Sequence, residues 1–283
     1  DGQGVEKDIQ KAVALFTLAA TKENSFAAFA LGKLYLAGDA ALPRDPAAAL
    51  KWLTYAAELG NQFAQYRLGK LLLKGDDGIP KDVITAIRWL TAAAKQENGY
   101  AEYALALVYL TGEDAPKDSV KALSLLKRSA GRGNQFAQYR LGKLLLQGED
   151  APKDVKAAIR WLTAAAEQGN QYAQYALGKL YLLGKEVPKD RSSAIKWFQL
   201  AADQGNEYAQ YFLKHMDDRL GQPPVAAVIS LFHHLANIFQ EQNQPPPSGG
   251  VRVAVDRKLL RKIKAKKIAQ GHKADDHEPE MQL

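Results

Sequence analysis

Residues 154–190 read DVKAAIRWLTAAAEQGNQYAQYALGKLYLLGKEVPKD, and this stretch decides the fold. Asp154 is a good N-cap, because its carboxylate can accept from the orphan amides of a first helical turn. Ala158, Trp161, Leu162, Ala165 and Ala166 then recur at three- and four-residue spacing, the mark of a helix with one apolar face. Gly169 can take the left-handed conformation that closes this helix, and Asn170 can cap a second one. That second helix carries Ala173, Tyr175, Leu177, Gly178, Leu180 and Tyr181, and it ends at Gly184. Pro188 blocks continuation and resets the cycle. The stretch is predicted to be a helical hairpin.

The same signals recur on both sides. Glu6-Lys7-Asp8, Pro43-Arg44-Asp45, Pro80-Lys81-Asp82, Pro116-Lys117-Asp118, Pro152-Lys153-Asp154 and Pro188-Lys189-Asp190 follow one another at intervals of 37 or 36 residues. A fixed period of this length means one supersecondary unit stacked many times. Alanine columns run through both helices of the unit. Gly32, Gly69, Gly142 and Gly178 share a register inside the second helix, with Ala106 in the same place. Glycine there costs about 1 kcal/mol against alanine, so its repetition predicts that neighbouring backbones approach closely. Lys214 stands in that register in the sixth unit, where it should end the array. Trp52, Trp89, Trp161 and Trp197 form one aromatic column and Tyr66, Tyr103, Tyr139, Tyr175 and Tyr211 another. Packing is the default reading of an aromatic stripe in register with a repeat, and a ligand platform is the alternative.

Composition narrows the function classes. The chain has no cysteine, which removes disulfides and thiolate metal sites and fits a cytoplasmic protein. No apolar run reaches the roughly 20 residues of a membrane-spanning helix. The sequence opens on Asp1-Gly2-Gln3-Gly4, in the loop before a capping signal, and is read as a fragment of a longer protein. Of the formal net charge of +7, residues 252–283 hold nine Lys/Arg against five Asp/Glu, so the repeats are nearly neutral.

The order Ala158, Trp161-Leu162, Ala165-Ala166, Gly169-Asn170, Ala173-Gln174-Tyr175, Leu177-Gly178 and Leu180-Tyr181, then Gly184 and Pro188-Lys189-Asp190, closely resembles the Sel-one-like repeat. That family is a subclass of the tetratricopeptide-type helical solenoids, and similar units cover residues 1–216. Glu23 and Glu97 depart from it at the usual helix-ending glycine. The resemblance implies an all-α, right-handed α-solenoid of about six helical hairpins that acts as a non-enzymatic protein-interaction scaffold or adaptor. It implies a protein or peptide partner and no cofactor. Some relatives are secreted and tied by disulfides, and the lack of cysteine argues against that branch.

Candidate sites are few. Lys51, Arg88, Arg160 and Lys196 form a cation ladder beside the Trp column, and Lys33, Lys70, Lys143 and Lys179 form a second ladder after the Gly column. Either can line a groove for an acidic peptide or nucleic acid, or be a solvated face copied by duplication. Gln65, Gln138, Gln174 and Gln210 form a polar column able to recognise a peptide backbone. Ser124 with Lys127 and Ser193 with Lys196 match a Ser-x-x-Lys spacing, but its companion motifs are absent and both lie in a helix register of the repeat. No phosphate-binding glycine loop or His-Glu-x-x-His signature occurs. His272, Asp275, Asp276 and His277 offer weak metal ligands on a charged tail.

Beyond the repeats, residues 217–243 are expected to hold one capping helix, 244–251 a Pro/Gly linker, and 252–283 a basic helix and mobile tail. Arg257, Lys258, Arg261, Lys262, Lys264, Lys266 and Lys267 place seven cations in eleven positions without an interleaved aromatic. That suits DNA phosphate contact better than base readout, with a plain charged tail as the alternative. Residues 257–263, 266–269 and 271–278 also resemble the end of plasmid-mobilisation relaxases of Gram-positive conjugative elements, some of which carry Sel-one-like arrays. If so, the nicking domain precedes Asp1, and no residue here inherits its catalytic role.

Overall fold

Asp and Asn caps alternate along the whole array, and each starts one helix. The computed structural model describes residues 8–75 and 78–216, so the expected capping helix, linker and basic tail at 217–283 lie outside the described residues. Asp8, Asp45, Asp82, Asp118, Asp154 and Asp190 cap the odd helices: α1 (Ile9–Ala20), α3 (Pro46–Glu58), α5 (Val83–Lys95), α7 (Ser119–Gly131), α9 (Val155–Glu167) and α11 (Arg191–Asp203). Asn24, Asn61, Asn98, Asn134 and Asn170 cap α2 (Ser25–Ala37), α4 (Gln62–Lys74), α6 (Gly99–Thr111), α8 (Gln135–Gln147) and α10 (Gln171–Leu183). Asn206 accepts from the Ala209 amide at 3.0 Å at the start of α12 (Glu207–Met216). The chain is an all-α solenoid of six hairpins over these residues.

The Pro-Lys-Asp signals do more than stop one helix and start the next. The Asp82 amide donates to the Leu72 carbonyl, and the Asp154 amide to the Leu145 carbonyl, each at 2.9 Å. Carbonyls in the last turn of a helix lack intrahelical partners, so the cap of each new helix satisfies one in the helix before it. The lysines reach forward. Lys81 meets Asp114 at 2.6 Å, Lys117 meets Asp150 at 2.8 Å and Lys153 meets Glu186 at 2.8 Å. These exposed pairs are worth little one by one, but they tie successive inter-repeat loops together.

The caps make the array sensitive to acid. Hydrogen bonds from Thr85 hold Asp82 below the ordinary carboxylate range, and those from Ser193 do the same for Asp190. Lys117, then Ser119, lowers Asp150. A depressed folded-state value adds stability that is complete above the unfolded-state value, about 3.9, and is lost as pH falls through the folded one. The urea midpoint should therefore hold between pH 7 and 5 and drop below about pH 4. Asp82→Asn keeps a capping oxygen without a titrating group, so the same urea series should show a shallower acid loss in that variant.

Close packing occurs between hairpins more than within them. Each of α2, α4, α6, α8 and α10 packs more extensively against the odd helix that follows it than against the one before. Here the glycine column acts as expected: a Cβ on Gly69 would stand 2.6 Å from Leu90 Cγ, and one on Gly142 would stand 2.7 Å from Leu162 Cγ. Leu53, Leu90, Leu126, Leu162 and Phe198 fill this seam and are fully buried. The alanine columns make the approach possible, with Ala86, Ala122, Ala158 and Ala194 wholly enclosed. Phe16 holds the same register in α1 yet is 37% exposed. Lys214, at the opposite end, is exposed.

Glu23 and Glu97 leave their turns unchanged. They take φ of 62° and 65°, and each amide makes the same bond to the carbonyl three residues back as Gly60 makes to Ala57. The left-handed conformation costs an L-residue roughly 1–2 kcal/mol, and the glutamates accept it because the flanking helices dictate the turn.

Candidate partner-binding faces

The repeat brings equivalent side chains of successive hairpins into rows, and four rows bear on function. The first is the ladder Lys51, Arg88, Arg160 and Lys196 on the odd helices, all four exposed. Its cations lean over the adjoining indoles: Arg88 lies 4.8 Å from the centre of the Trp89 ring and Lys51 5.9 Å from that of Trp52. The tryptophans are half-buried and pack against the core, so they are neither wholly interior nor a free platform. Lys51, Trp52 and Tyr55 also line an open groove of about 670 Å³ between the end of α1 and the outer side of α3.

The second row is internal. Gln65, Gln138 and Gln174 are buried, and each donates to a last-turn carbonyl of the preceding odd helix: Ala57 at 3.0 Å, Ala130 at 3.1 Å and Ala166 at 3.0 Å. Their side-chain oxygens accept from Gln96, Gln168 and Gln204 of the next hairpin at 2.8, 2.7 and 2.7 Å. Both ends of these amides are engaged in the array, which corrects the reading of them as recognisers of a peptide backbone. Gln210 donates to Ala202 at 3.2 Å but is exposed, with no described hairpin beyond it.

The third feature interrupts that row. Glu102 takes the glutamine register in α6 and is fully buried, while Arg132 takes the place of Gln96. Arg128 Nη2 meets Glu102 at 2.7 Å and Arg132 Nε at 3.3 Å. Arg132 also grips Glu97 at 2.8 Å, and that contact first, with Glu102 behind it, holds the guanidinium above its usual range. Ser129 Oγ donates to the Gly99 carbonyl at 2.6 Å beside the cluster. One Gln–Gln contact has become an ion pair without a change in backbone register.

The fourth row lies on the even helices and was not legible as a site. An aromatic at the second helical position of α2, α4, α6, α8 and α10 (Phe26, Phe63, Tyr100, Phe136 and Tyr172) is 66, 48, 55, 43 and 42% exposed. Four of these rings contact the tyrosine or phenylalanine column of the hairpin before, as in Tyr66–Tyr100 at 5.9 Å. Burial pushes the hydroxyls of Tyr66, Tyr103 and Tyr139 above their usual range. Lys33 and Lys70, from the second ladder, sit 5.8 and 5.9 Å from the centres of Phe29 and Tyr66. A signal existed: every Asn cap from Asn24 to Asn206 is followed two residues later by an aromatic.

Catalytic geometry is not assembled at the Ser-x-x-Lys spacings. Ser193 Oγ donates to the capping carboxylate of Asp190 at 2.6 Å, and Ser124 and Lys127 are both exposed. Among the described residues no group of His, Asp and Glu is arranged to hold a metal ion, and no helix is long and apolar enough to cross a membrane. The tail residues Arg257 to Lys267 and His272 to His277 lie outside the described residues.

Comparison with known proteins agrees with the geometry. The Sel1 repeat family matches residues 1–24, 25–61, 62–98, 99–134, 135–170 and 171–206, and from residue 25 onward each match spans an even helix and the odd helix packed closely behind it. A protective antigen of uropathogenic Escherichia coli with an SLR fold is 34% identical, with a TM-score of 0.68 over 78% of this chain and 47% of its own. A Sel1 repeat protein from Oxalobacter formigenes is also 34% identical, with a TM-score of 0.69 over 76% of this chain and 62% of its own. The chain thus spans about half to three-fifths of the length of these two proteins. A search of curated proteins finds no match. Sel1-repeat proteins are typically scaffolds for protein interaction. With six matched units, close even–odd helix seams and two structural relatives at 34% identity, this chain belongs to the Sel1 repeat family.

Proposed function

We propose that this chain is a non-enzymatic interaction scaffold that holds a protein partner on a surface built jointly by several repeats. One observation carries the reading: six hairpins in unbroken register set equivalent side chains in rows that cross every repeat boundary. The exposed ladder Lys51, Arg88, Arg160 and Lys196 is one such row, available to an acidic partner. Affinity capture with the full chain, followed by quantitative binding of the recovered protein, tests the reading. Charge reversal at two rungs should weaken binding more than either change alone. Recovery of no protein partner, together with tight binding of a small metabolite, would count against it.

A second reading is favoured by the seven cations at 257–267. In it the chain is the accessory region of a conjugative-plasmid relaxase and the tail touches DNA phosphates. DNA binding should then weaken steeply with salt and disappear when residues 252–283 are deleted. Binding that survives the deletion removes the tail from the argument.

A further inference from the structure

We propose that the even-helix face is the docking surface, and that it receives an extended acidic peptide which also carries apolar side chains. This rests on the scaffold reading above and names the face and the chemistry of its partner. Five ring pairs cross the boundaries between even helices: Phe29–Phe63 at 6.4 Å, Tyr66–Tyr100 at 5.9 Å, Tyr103–Phe136 at 6.3 Å, Tyr139–Tyr172 at 6.1 Å and Tyr175–Tyr208 at 6.0 Å. They form one aromatic row from α2 to α12. Core packing explains the inner ring of each pair. It does not explain Phe63 and Phe136, which stay nearly half exposed and carry no polar group. A contiguous exposed apolar row, repeated at every unit, marks an interaction surface.

Charge selects the partner. One to two turns beyond the rings, Lys33, Lys70, Lys143 and Lys179 occupy the same register of α2, α4, α8 and α10. The only carboxylate on α2, α4, α6, α8 and α10 is Glu102, which is buried against Arg128 and faces away from any ligand. A positive rail beside an apolar row complements a segment bearing both carboxylates and apolar groups. Partial burial already lowers Lys143 and Lys179, and the charge of Lys143 adds to the effect on Lys179. An anion laid along the rail would relieve both influences.

The rings favour a peptide over single-stranded nucleic acid. Base stacking needs open aromatic faces. Here the rings of the first four pairs are tilted 30 to 39° against one another across the helix boundary and offer no series of parallel open faces. The rail also has a gap that gives the face a polarity. In α6 the lysine register holds Leu107, half-buried, so the segment lying over the third of the five rungs should be apolar rather than acidic.

Fluorescence anisotropy of the full chain with a labelled dodecapeptide of three Glu-Glu-Leu-Ser units tests the proposal. The expected result is saturable binding that weakens about tenfold between 50 and 300 mM salt. Lys70→Glu with Lys143→Glu, or Phe63→Ser with Phe136→Ser, should weaken it at least tenfold with helicity unchanged by circular dichroism. Leu107→Lys should tighten binding of a uniformly acidic dodecapeptide. Absence of peptide binding, or indifference to all these changes, overturns the proposal. So does tighter binding of a twelve-nucleotide oligothymidylate, which assigns the face to nucleic acid. If the peptide fails while a captured protein partner is lost on Lys51→Glu with Arg88→Glu, the scaffold reading stands and the docking face moves to the odd helices.

Discussion

Gly142→Leu is expected to split the array at the seam between α8 and α9. A Cβ at this position meets Leu162 Cγ at 2.7 Å and the Ala158 carbonyl oxygen at 3.0 Å. The carbonyl belongs to the helix backbone and cannot rotate away, so a full leucine side chain must push α9 outward. Overpacking of a tight core costs typically 1–3 kcal/mol, and occasionally more. A seam that carries only one helix pair has little with which to offset it. In a repeat protein each unit touches only its neighbours, so a broken seam uncouples the two flanking blocks. Urea unfolding followed by circular dichroism should change from one transition to two, with the earlier midpoint well below that of the parent. Gly142→Ala should fall between the two, because alanine gains about 1 kcal/mol of helix propensity against a smaller clash. Ala106 already shows a methyl group in this register. A single transition at the parent midpoint for Gly142→Leu would mean that the seam is not close-packed.

The second large effect concerns Glu102. Its carboxylate is fully buried, with Arg128 Nη2 at 2.7 Å and Arg132 Nε at 3.3 Å as its cations. Removing both arginines with Arg128→Ala and Arg132→Ala would leave an uncompensated buried charge, and breaking a buried pair in this way costs about 3–5 kcal/mol. The reverse change should be mild. Glu102→Gln with Arg132→Gln recreates the Gln65–Gln96 contact found one hairpin earlier, where the oxygen accepts at 2.8 Å and the amide donates to a carbonyl at 3.0 Å. That double variant should unfold within about 1 kcal/mol of the parent, since paired neutral groups carry no charge to desolvate. Denaturant midpoints for the singles and both doubles complete the comparison. Equal damage in the two doubles would show that Glu102 serves something other than this contact.

Much of the fold is legible because repeat signals act locally. A capping Asp or Asn bonds amides two or three residues ahead, and a Pro or Gly constrains its own backbone, so α1 to α12 follow from residues read a few at a time. The Gly column needed one further step. Its penalty inside a helix predicts close approach, and Leu53, Leu90, Leu162 and Phe198 are what approaches. Rows formed between hairpins resist such reading. Gln65 and Lys70 share a helix and both looked like surface residues, yet one is buried between carbonyl and amide while the other stays exposed.

By itself the sequence determined the period, the helix starts and stops, the all-α class and the register of small residues, because each rests on backbone constraints local to a turn or a cap. Only the tertiary structure decided that the tight seam runs from each even helix to the next odd helix. It also withdrew Gln65, Gln138 and Gln174 into the interior and left Phe63, Tyr100, Phe136 and Tyr172 exposed in a row. The physical reason is that a side chain's surroundings depend on the helix that arrives beside it from the next repeat. Its contacts lie about twenty residues on across the seam, as in Gly69–Leu90, or more than thirty on between even helices, as in Tyr66–Tyr100, and no spacing within one hairpin specifies which of its faces it will cover.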